Sequence, residues 1–490
     1  MTATSYCHVA TRMRATALPL FLCLLCTGGC AVGPDFVRPQ TAVPDAWIGA
    51  TTMPTTQPSM AESDLQRWWA AFSDAKLTSL IEQAFSSNLD LRLATSRIRQ
   101  ARASRGIAVS GIGPTVDASG SFRRSQASSG GGDMKSPTVN NYQVGFDAGW
   151  EIDIFGGVRR GIEAADAEVQ ASVENRRDVL VTLAAEVARN YVDLRTYQQR
   201  LAIARKNLEA QKHSAELTRK RFEGGFVSGL DVANADALVA TTEAAIPLLE
   251  SSARQTIYTL SVLLDREPGA LVPELSEAAG IPAAPPAAPV GVPSDLLRRR
   301  PDIRLAEADI HAATAQIGVA ATDLFPKVAI NGSVGWQAAN SGDLFNPLSR
   351  FWSLGPSVTW NLFQSGRTLS NIEVQKALQE QSILTYRKTV LTAIQEVENA
   401  LIASVKEQER RRSLQAAVAA NRKAADLATQ LYTEGHTDFL NVLSAQRSLY
   451  SSEDALAQST QVMAVELIAL YKALGGGWEE VQAVAGGQER

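Results

Sequence analysis

Trp150-Glu151-Ile152-Asp153-Ile154-Phe155-Gly156-Gly157 returns as Trp360-Asn361-Leu362-Phe363-Gln364-Ser365-Gly366-Arg367, displaced by 210 residues. The same offset carries Glu186-Val187 onto Glu396-Val397, Phe222 onto Tyr432, Gly225 onto Gly435, Leu230 onto Leu440, Val232 onto Val442 and Leu264 onto Leu474. No gap is needed between Trp150 and Glu267. Upstream, at an offset of 212, Asp90, Arg92, Leu93-Ala94, Gly106, Pro114 and Gly120 match Asp302, Arg304, Leu305-Ala306, Gly318, Pro326 and Gly332. One large supersecondary unit is used twice, so the architecture is read per repeat.

Each repeat reads as helix, strand, loop, strand, very long helix, sharp turn, helix. A helix is expected from about 76 to 110, and Pro114 and Pro326 mark the switch into extended chain because proline cannot continue a helix. Four stretches of strict alternation follow, at about 114–124, 141–153, 326–337 and 353–363. In the second, Tyr142, Val144, Phe146, Ala148, Trp150 and Ile152 interleave with polar residues and glycine, which gives one apolar and one polar face. Strands of this length, with Trp or Tyr near their ends, suit a membrane β-barrel. A soluble sheet packed on one face would show the same alternation. Four strands are too few to close, and open edges are not tolerated in lipid, so a barrel must be shared among copies.

Helices without proline are expected at 157–222 and 367–432, each about 66 residues or roughly 100 Å long. In the first, Val173, Leu180, Val187, Leu194, Leu201, Leu208, Ala215 and Phe222 recur every seven residues, a coiled-coil signal. In the second, Ile383, Val390 and Val397 keep the register but Ser404 and Arg411 break it, as expected where one side is wet. The turns at 223–229 and 434–438 reverse the chain, with Ser228 and Asp438, or Asp231 and Asn441, able to cap the returning helices. Pro247 predicts a kink. The expected organisation is a leader at 1–29, an extended N-terminal segment at 30–75, repeats at 76–264 and 295–474, a Pro- and Ala-rich connector at 265–294, and a loose tail at 475–490.

Low aromatic content (6%) and abundant Ala, Gln, Glu, Leu and Arg favour long helices over a compact core. Net charge is −4, or −6 (45 basic against 51 acidic residues) without Arg12 and Arg14, and no basic block suggests nucleic acid. All four cysteines, Cys7, Cys23, Cys26 and Cys30, fall in the first thirty residues, so the body has no disulfide, thiolate nucleophile or Cys-based metal site. Arg12 and Arg14 precede the apolar run Ala15 to Cys26 and then Thr27-Gly28-Gly29-Cys30. This is a secretory leader, too short to span a bilayer, and its end resembles a bacterial lipobox with Cys30 as the acylated residue. Thr27 stands where leucine is usual. No other stretch reaches the roughly 18 apolar residues of a spanning helix.

Catalytic chemistry is missing. His213, His311 and His436 have no second histidine at metal-ligand spacing. Gly130-Gly131-Gly132 lies in a polar loop with no helix or Lys-Ser/Thr after it to hold a phosphate. Glu409-Arg410-Arg411-Arg412 reads as a wet helix face. No enzyme, cofactor or metal is expected.

Together these features resemble the outer membrane factors, the TolC/OprM-type channels, and within them the NodT-like lipoprotein subgroup. The resemblance runs over nearly the whole chain after Cys30. It is carried by Cys30-Ala-Val-Gly-Pro-Asp-Phe-Val-Arg-Pro39, Trp68-Trp69, Leu77, Arg300-Pro-Asp-Ile-Arg304, Leu324-Phe-Pro326, Trp360-Asn-Leu-Phe363, Gly366-Arg367, Phe439-Leu-Asn-Val-Leu443 and Ala445-Gln446.

The resemblance implies a mainly α protein with membrane β. Two repeats would give strands to a shared trimeric 12-stranded outer-membrane barrel, and long helical hairpins to a periplasmic tunnel. It implies a homotrimer, anchored through palmitate-type acylation of Cys30 with diacylglycerol and an N-acyl group. The chain would conduct small molecules passively in multidrug efflux, from a periplasmic adaptor and an inner-membrane transporter of the RND type. The resemblance also places adaptor docking at Gly224, Gly225, Ser228, Gly435, His436 and Thr437. Pore-narrowing residues fall at Asp438, Asn441 and Ser444. The resemblance implies Asp at one or both of the positions held here by Asn441 and Ser444, so the acidic ring is weakened or displaced, with Asp438 either standing in for it or only capping a helix. Two alternatives stay open: a duct for type I protein secretion, and a periplasmic coiled-coil scaffold lipoprotein, which would not need the four strands.

Overall fold

The computed structural model describes residues 31–48, 65–128, 137–283 and 293–479. The leader, Cys30 and the Gly130–Gly132 loop lie outside the described residues. In chain order the elements are α1 (Ala75–Ser87), α2 (Leu89–Ser110), β1 (Thr115–Gln126), β2 (Thr138–Ile152), α3 (Gly157–Glu223), α4 (Gly229–Leu263) and α5 (Val272–Leu275). The second half holds α6 (Pro293–Arg299), α7 (Pro301–Thr322), β3 (Lys327–Ala338), β4 (Arg350–Thr359), α8 (Arg367–Glu434) and α9 (Phe439–Ala473). A 3-10 turn at Trp68–Phe72 precedes α1. The fold is mostly helical, with four antiparallel strands distributed over two repeats.

The expected helix from about 76 to 110 is two helices. Asn88, at φ −53 and ψ 134, leaves helical geometry. Its side chain accepts from Leu91 N at 3.0 Å and donates to Leu263 O at 2.9 Å, replacing the interrupted ladder with a cap and a tie.

One compact unit comprises the N-terminal stretch to Pro39, Ile98–Ala171 and Ala306–Tyr386. Its sheet has the order β1-β2-β3-β4, antiparallel throughout. Residues opposite one another across a ladder share a face. Gly120 pairs with Val144 and Val144 with Trp336, while Ala118, Phe146, Val334 and Trp352 form the next rung. These rungs build an exposed apolar face, with Val144 38% and Val334 54% exposed. On the other face Ser119 donates to Asp147 at 3.0 Å, and the hydroxyls of Ser333 and Ser353 lie 2.7 Å apart. Strand β4 ends at Thr359, so Trp360 and Leu362, expected inside the strand, fall beyond its end. The repeat is visible in single bonds. Trp150 Nε1 donates to Ile112 O at 2.8 Å, and its counterpart Trp360 Nε1 donates to Leu324 O at 3.1 Å.

The string after Cys30 is a strap in this unit. Val32 N donates to Phe155 O at 3.0 Å, and buried Arg160 donates to Val32 O, Gly33 O and Asp35. A Cβ on Gly33 would stand 2.5 Å from Gly318 Cα, so glycine on both sides permits the approach. Phe36 stacks on His311 at 4.4 Å, and Arg38 pairs with Glu307.

The second unit comprises Gln40–Arg97, Ser172–Leu305 and the chain from Arg387 onward. The heptad of α3 holds: Leu180, Val187 and Leu194 are buried, whereas Phe222 at its end is 48% exposed. In α8, Val390 and Val397 are buried and the register-breaking Ser404 and Arg411 are half-buried. The described residues of the expected connector pack on this unit, with Leu271 and Leu275 buried at the short α5 and Gln198 donating to Leu275 O at 2.7 Å.

The expectation of a loose tail from residue 475 does not hold for its first five residues. A Cβ on Gly476 would meet Leu65 O at 2.8 Å, Trp478 is buried, and the Arg177 guanidinium lies 4.5 Å from its ring. Trp68 stacks on Tyr471 at 5.2 Å, which closes this cluster. Helix α4 is the returning helix expected after the first reversal; by length and composition it is apolar enough to cross a membrane, with a mean hydropathy of 1.2 over an 18-residue window of which 22% is buried.

Candidate docking tip and pore constriction

The two helical reversals lie in the second unit and are built alike. At the end of α3, Gly225 N donates to Phe222 O at 2.9 Å and Phe226 N to Arg221 O at 2.8 Å. At the end of α8, Gly435 N donates to Tyr432 O at 3.0 Å and His436 N to Leu431 O at 2.8 Å. Both are Schellman endings, in which a left-handed residue lets the last carbonyls find donors. The left-handed residues are Gly225 at φ 75 and Gly435 at φ 80. Any other residue here is strained, since the left-handed region costs roughly 1–2 kcal/mol with a Cβ present.

The returning helices begin differently. Ser228 caps α4 in a closed capping box: its Oγ accepts from Asp231 N, and Asp231 Oδ2 accepts from Ser228 N at 3.0 Å. At α9 the N-cap is Asp438, whose side chain makes no cap hydrogen bond. Its partner position holds Asn441, which donates instead to Thr437 Oγ1 at 2.7 Å. The repeat therefore exchanges a Ser/Asp box for an Asp/Asn pair and leaves the carboxylate of Asp438 exposed. Asp438, Asn441 and Ser444, at i, i+3 and i+6, are all exposed.

Between the reversals lies a cleft of about 750 Å³ lined by Arg221, Phe226, Asp231, Tyr432, Thr437 and Asp438, among others. Two of its lining side chains are exposed and apolar: Phe226 is 81% exposed and Leu440 64%. The floor is a core of Ala215, Leu238, Tyr432, Phe439, Val442 and Leu443.

Arg221 ties the two hairpins. Its Nη1 donates to Tyr432 O at 2.6 Å and its guanidinium lies 4.7 Å from the Tyr432 ring. Tyr432 Oη in turn donates to Thr218 Oγ1 at 3.1 Å, and Gln446 Nε2 donates to Ser214 Oγ at 2.8 Å. Further along, Arg200 grips Asp454 at 2.6 and 3.1 Å, while Glu453 accepts from Asn207 and Arg422. On the outer surface of α3 a hydrogen bond from Lys220 lowers the pKa of Glu216 and raises that of Lys220.

The structure brings together Gly225, Ser228, Gly435, Thr437 and Asp438 in the lining of one cleft. Gly224 and His436 lie in the two turns beside it, both exposed. Sequence reasoning missed Arg221 because its repeat partner is Leu431. The available signal was the Phe222-to-Tyr432 exchange, which adds a hydroxyl at a position that is 1% exposed.

Among the described residues no cluster of His, Cys, Asp and Glu could hold a metal.

The outer membrane efflux protein model matches residues 80–265 and 292–476, the two repeats in turn. The chain is 34% identical over 467 residues to Nodulation protein T of Rhizobium leguminosarum bv. trifolii, covering 94% of this chain and 97% of that protein. It is 32% identical over 483 residues to the solvent efflux pump outer membrane protein SrpC of Pseudomonas putida, covering 96% of this chain and 100% of that protein. Among solved structures, the outer-membrane channel OprN superposes with a TM-score of 0.85 at 37% identity, over 92% of this chain and 100% of that one. The chain belongs to the outer membrane efflux protein family. It is an outer-membrane efflux channel and not an enzyme. Channels of this family form trimers and work with the other components of efflux pumps.

Proposed function

We propose that this chain is the exit duct of a tripartite efflux system for small molecules. Three copies close one 12-stranded barrel from the four strands each supplies, and the helical hairpins continue it as a tunnel into the periplasm. The exposed apolar surface of α4, with Leu248 69% and Val262 58% exposed, fits packing against a neighbouring copy. Cys30 carries the diacylglycerol and N-acyl anchor. The strap supports this reading, because it fixes Ala31 beside Gly156, just beyond the end of β2.

A periplasmic adaptor docks at the two tips, and an inner-membrane transporter of the RND type supplies the energy. The observation that carries the docking is the pair of matching Schellman reversals around one cleft, lined in part by the exposed Phe226 and Leu440. Exposed apolar side chains at one cleft fit a partner surface. Small-molecule cargo is supported by the relative named for solvent efflux. Asp438 narrows the pore in place of the usual acidic pair, with Asn441 and Ser444 on the same face.

Reconstitution of the purified protein tests this reading. A detergent-stable trimer that conducts ions across a planar bilayer, and whose palmitate labelling disappears in Cys30→Ser, is expected. A folded monomer without conductance contradicts the duct, and labelling that persists in Cys30→Ser contradicts the anchor.

A further inference from the structure

The apolar face of the sheet carries two charges, and both sit at one end. Ladder pairing assigns the even-numbered residues of all four strands to this face. From Val116 to Phe122, Tyr142 to Ile152, Val328 to Ala338 and Trp352 to Val358, none of those residues is charged. The exceptions are Arg124, paired with Asn140 near the loop end of β1, and Arg350, the first residue of β4, paired with Trp336. Both are exposed, and no hydrogen bond or ion pair among the described residues engages either guanidinium. The opposite end of the same face, where the strands meet the helices, holds only Trp150, Ile152, Val328 and Val358 beside Val116.

Strands β1 and β4 are the two free edges of the sheet. Closure of a ring of identical chains pairs β4 of one copy with β1 of the next. Arg350 and Arg124 of different copies then stand on neighbouring strands, at the rim away from the helices. Aromatic and aliphatic side chains surround that rim: Trp352 is 78% exposed, Phe122 57% and Leu348 94%.

We propose that Arg350 of one copy and Arg124 of the next form a site for the phosphate groups of an anionic glycolipid in the outer leaflet, one site at each seam. The inference rests on the closed-barrel reading above. A guanidinium presents a planar fork of donors that matches phosphate oxygens in pairs, and it is less strongly hydrated than an ammonium. The apolar rungs below it supply the surface for acyl chains. Charge complementarity therefore selects a phosphorylated lipid over a neutral one, and placement at the seam lets a bound lipid clamp two copies together.

The test compares two probes on the lipid-stripped, full-length trimer in detergent: diphosphorylated lipid A, and lipid A of the same acylation with both phosphates removed. Thermal dissociation of the trimer is the readout. Diphosphorylated lipid A is expected to raise the dissociation temperature, and the dephosphorylated form is not. Arg124→Gln and Arg350→Gln each weaken the apparent affinity about tenfold, the loss of one charge-assisted contact. The double variant loses the phosphate response while its single-channel conductance is unchanged. Arg123→Gln, on the opposite face of β1, keeps the response. Equal stabilisation of the unaltered trimer by both lipids overturns the proposal, because the arginines then only reach for water. So does a double variant that still distinguishes the two probes. The comparison on unaltered protein decides the matter even where the double variant fails to assemble. Absence of any conducting trimer, measured without added lipid, overturns the closed-barrel reading instead.

Discussion

The Arg221 guanidinium lies 4.7 Å from the ring centroid of Tyr432 and donates to that residue's carbonyl at 2.6 Å, so the end of α3 is tied to the end of α8. A cation over a tyrosine face contributes about 0.5–1 kcal/mol when exposed and more when desolvated, and the hydrogen bond adds to it. Arg221 is thus the tie nearest the two reversals, with Gln446 on Ser214, Glu453 on Asn207 and Asp454 on Arg200 joining the same hairpins further along.

Arg221→Ala is expected to loosen this tie. Single-channel recording should show a larger or longer-lived open state, and the thermal stability of the trimer should fall by about 1–3 kcal/mol of unfolding free energy. Tyr432→Phe keeps the ring but removes the hydroxyl bond to Thr218, and should give a smaller change in the same direction. Unaltered conductance in Arg221→Ala would mean that the contact is structural only.

The two helix starts predict opposite outcomes for equivalent substitutions. Ser228→Ala breaks a closed capping box and should cost about 1 kcal/mol. Asp438→Ala removes no cap bond, so its effect on stability should stay within about 0.5 kcal/mol. If the exposed carboxylate narrows the pore, conductance or cation preference should change in Asp438→Ala and not in Ser228→Ala. A stability loss in Asp438→Ala with unchanged conductance would return that residue to a capping role.

Much of this was legible in the amino-acid sequence. The repeat placed the tips at Gly225 and Gly435 because only glycine sits without strain at a left-handed helix end, and both copies need one. Strand faces were legible because their period is two and nearly every outward residue is apolar. The tie between tips was not, since Arg221 and Leu431 occupy equivalent positions and repeat logic looks for sameness. Gly475-Gly476-Gly477 read as loose for a related reason. Three glycines signal freedom when no partner is in view, but here the missing side chains let the backbone pass against Arg300, Leu65 and Trp68. The break at Asn88 was hidden because asparagine interrupts a helix only where its side chain finds bonds elsewhere, in this case Leu263 O and Leu91 N.

Substitutions on the two sheet faces should separate cleanly. Val144→Arg or Val334→Arg puts a charge on the apolar face, at a cost of about 2–4 kcal/mol near the bilayer midplane. Ser119→Arg and Ser333→Arg load the opposite, hydrogen-bonded face and should leave trimer yield nearly unchanged, with conductance altered. Equal loss of assembled trimer in both sets, read on native gels of membrane extracts, would contradict the assignment of faces.

The docking of a partner at the matched reversals is the central claim, and crosslinking of tip variants in membranes measures it most directly. Gly225→Trp and Gly435→Trp force a bulky side chain into left-handed backbone at the rim of the cleft. The expected result is a membrane-inserted, conducting trimer that no longer crosslinks to its periplasmic adaptor, in cells that lose export. Crosslinking and export at the level of the unaltered protein, with both substitutions present in a stable trimer, would contradict it.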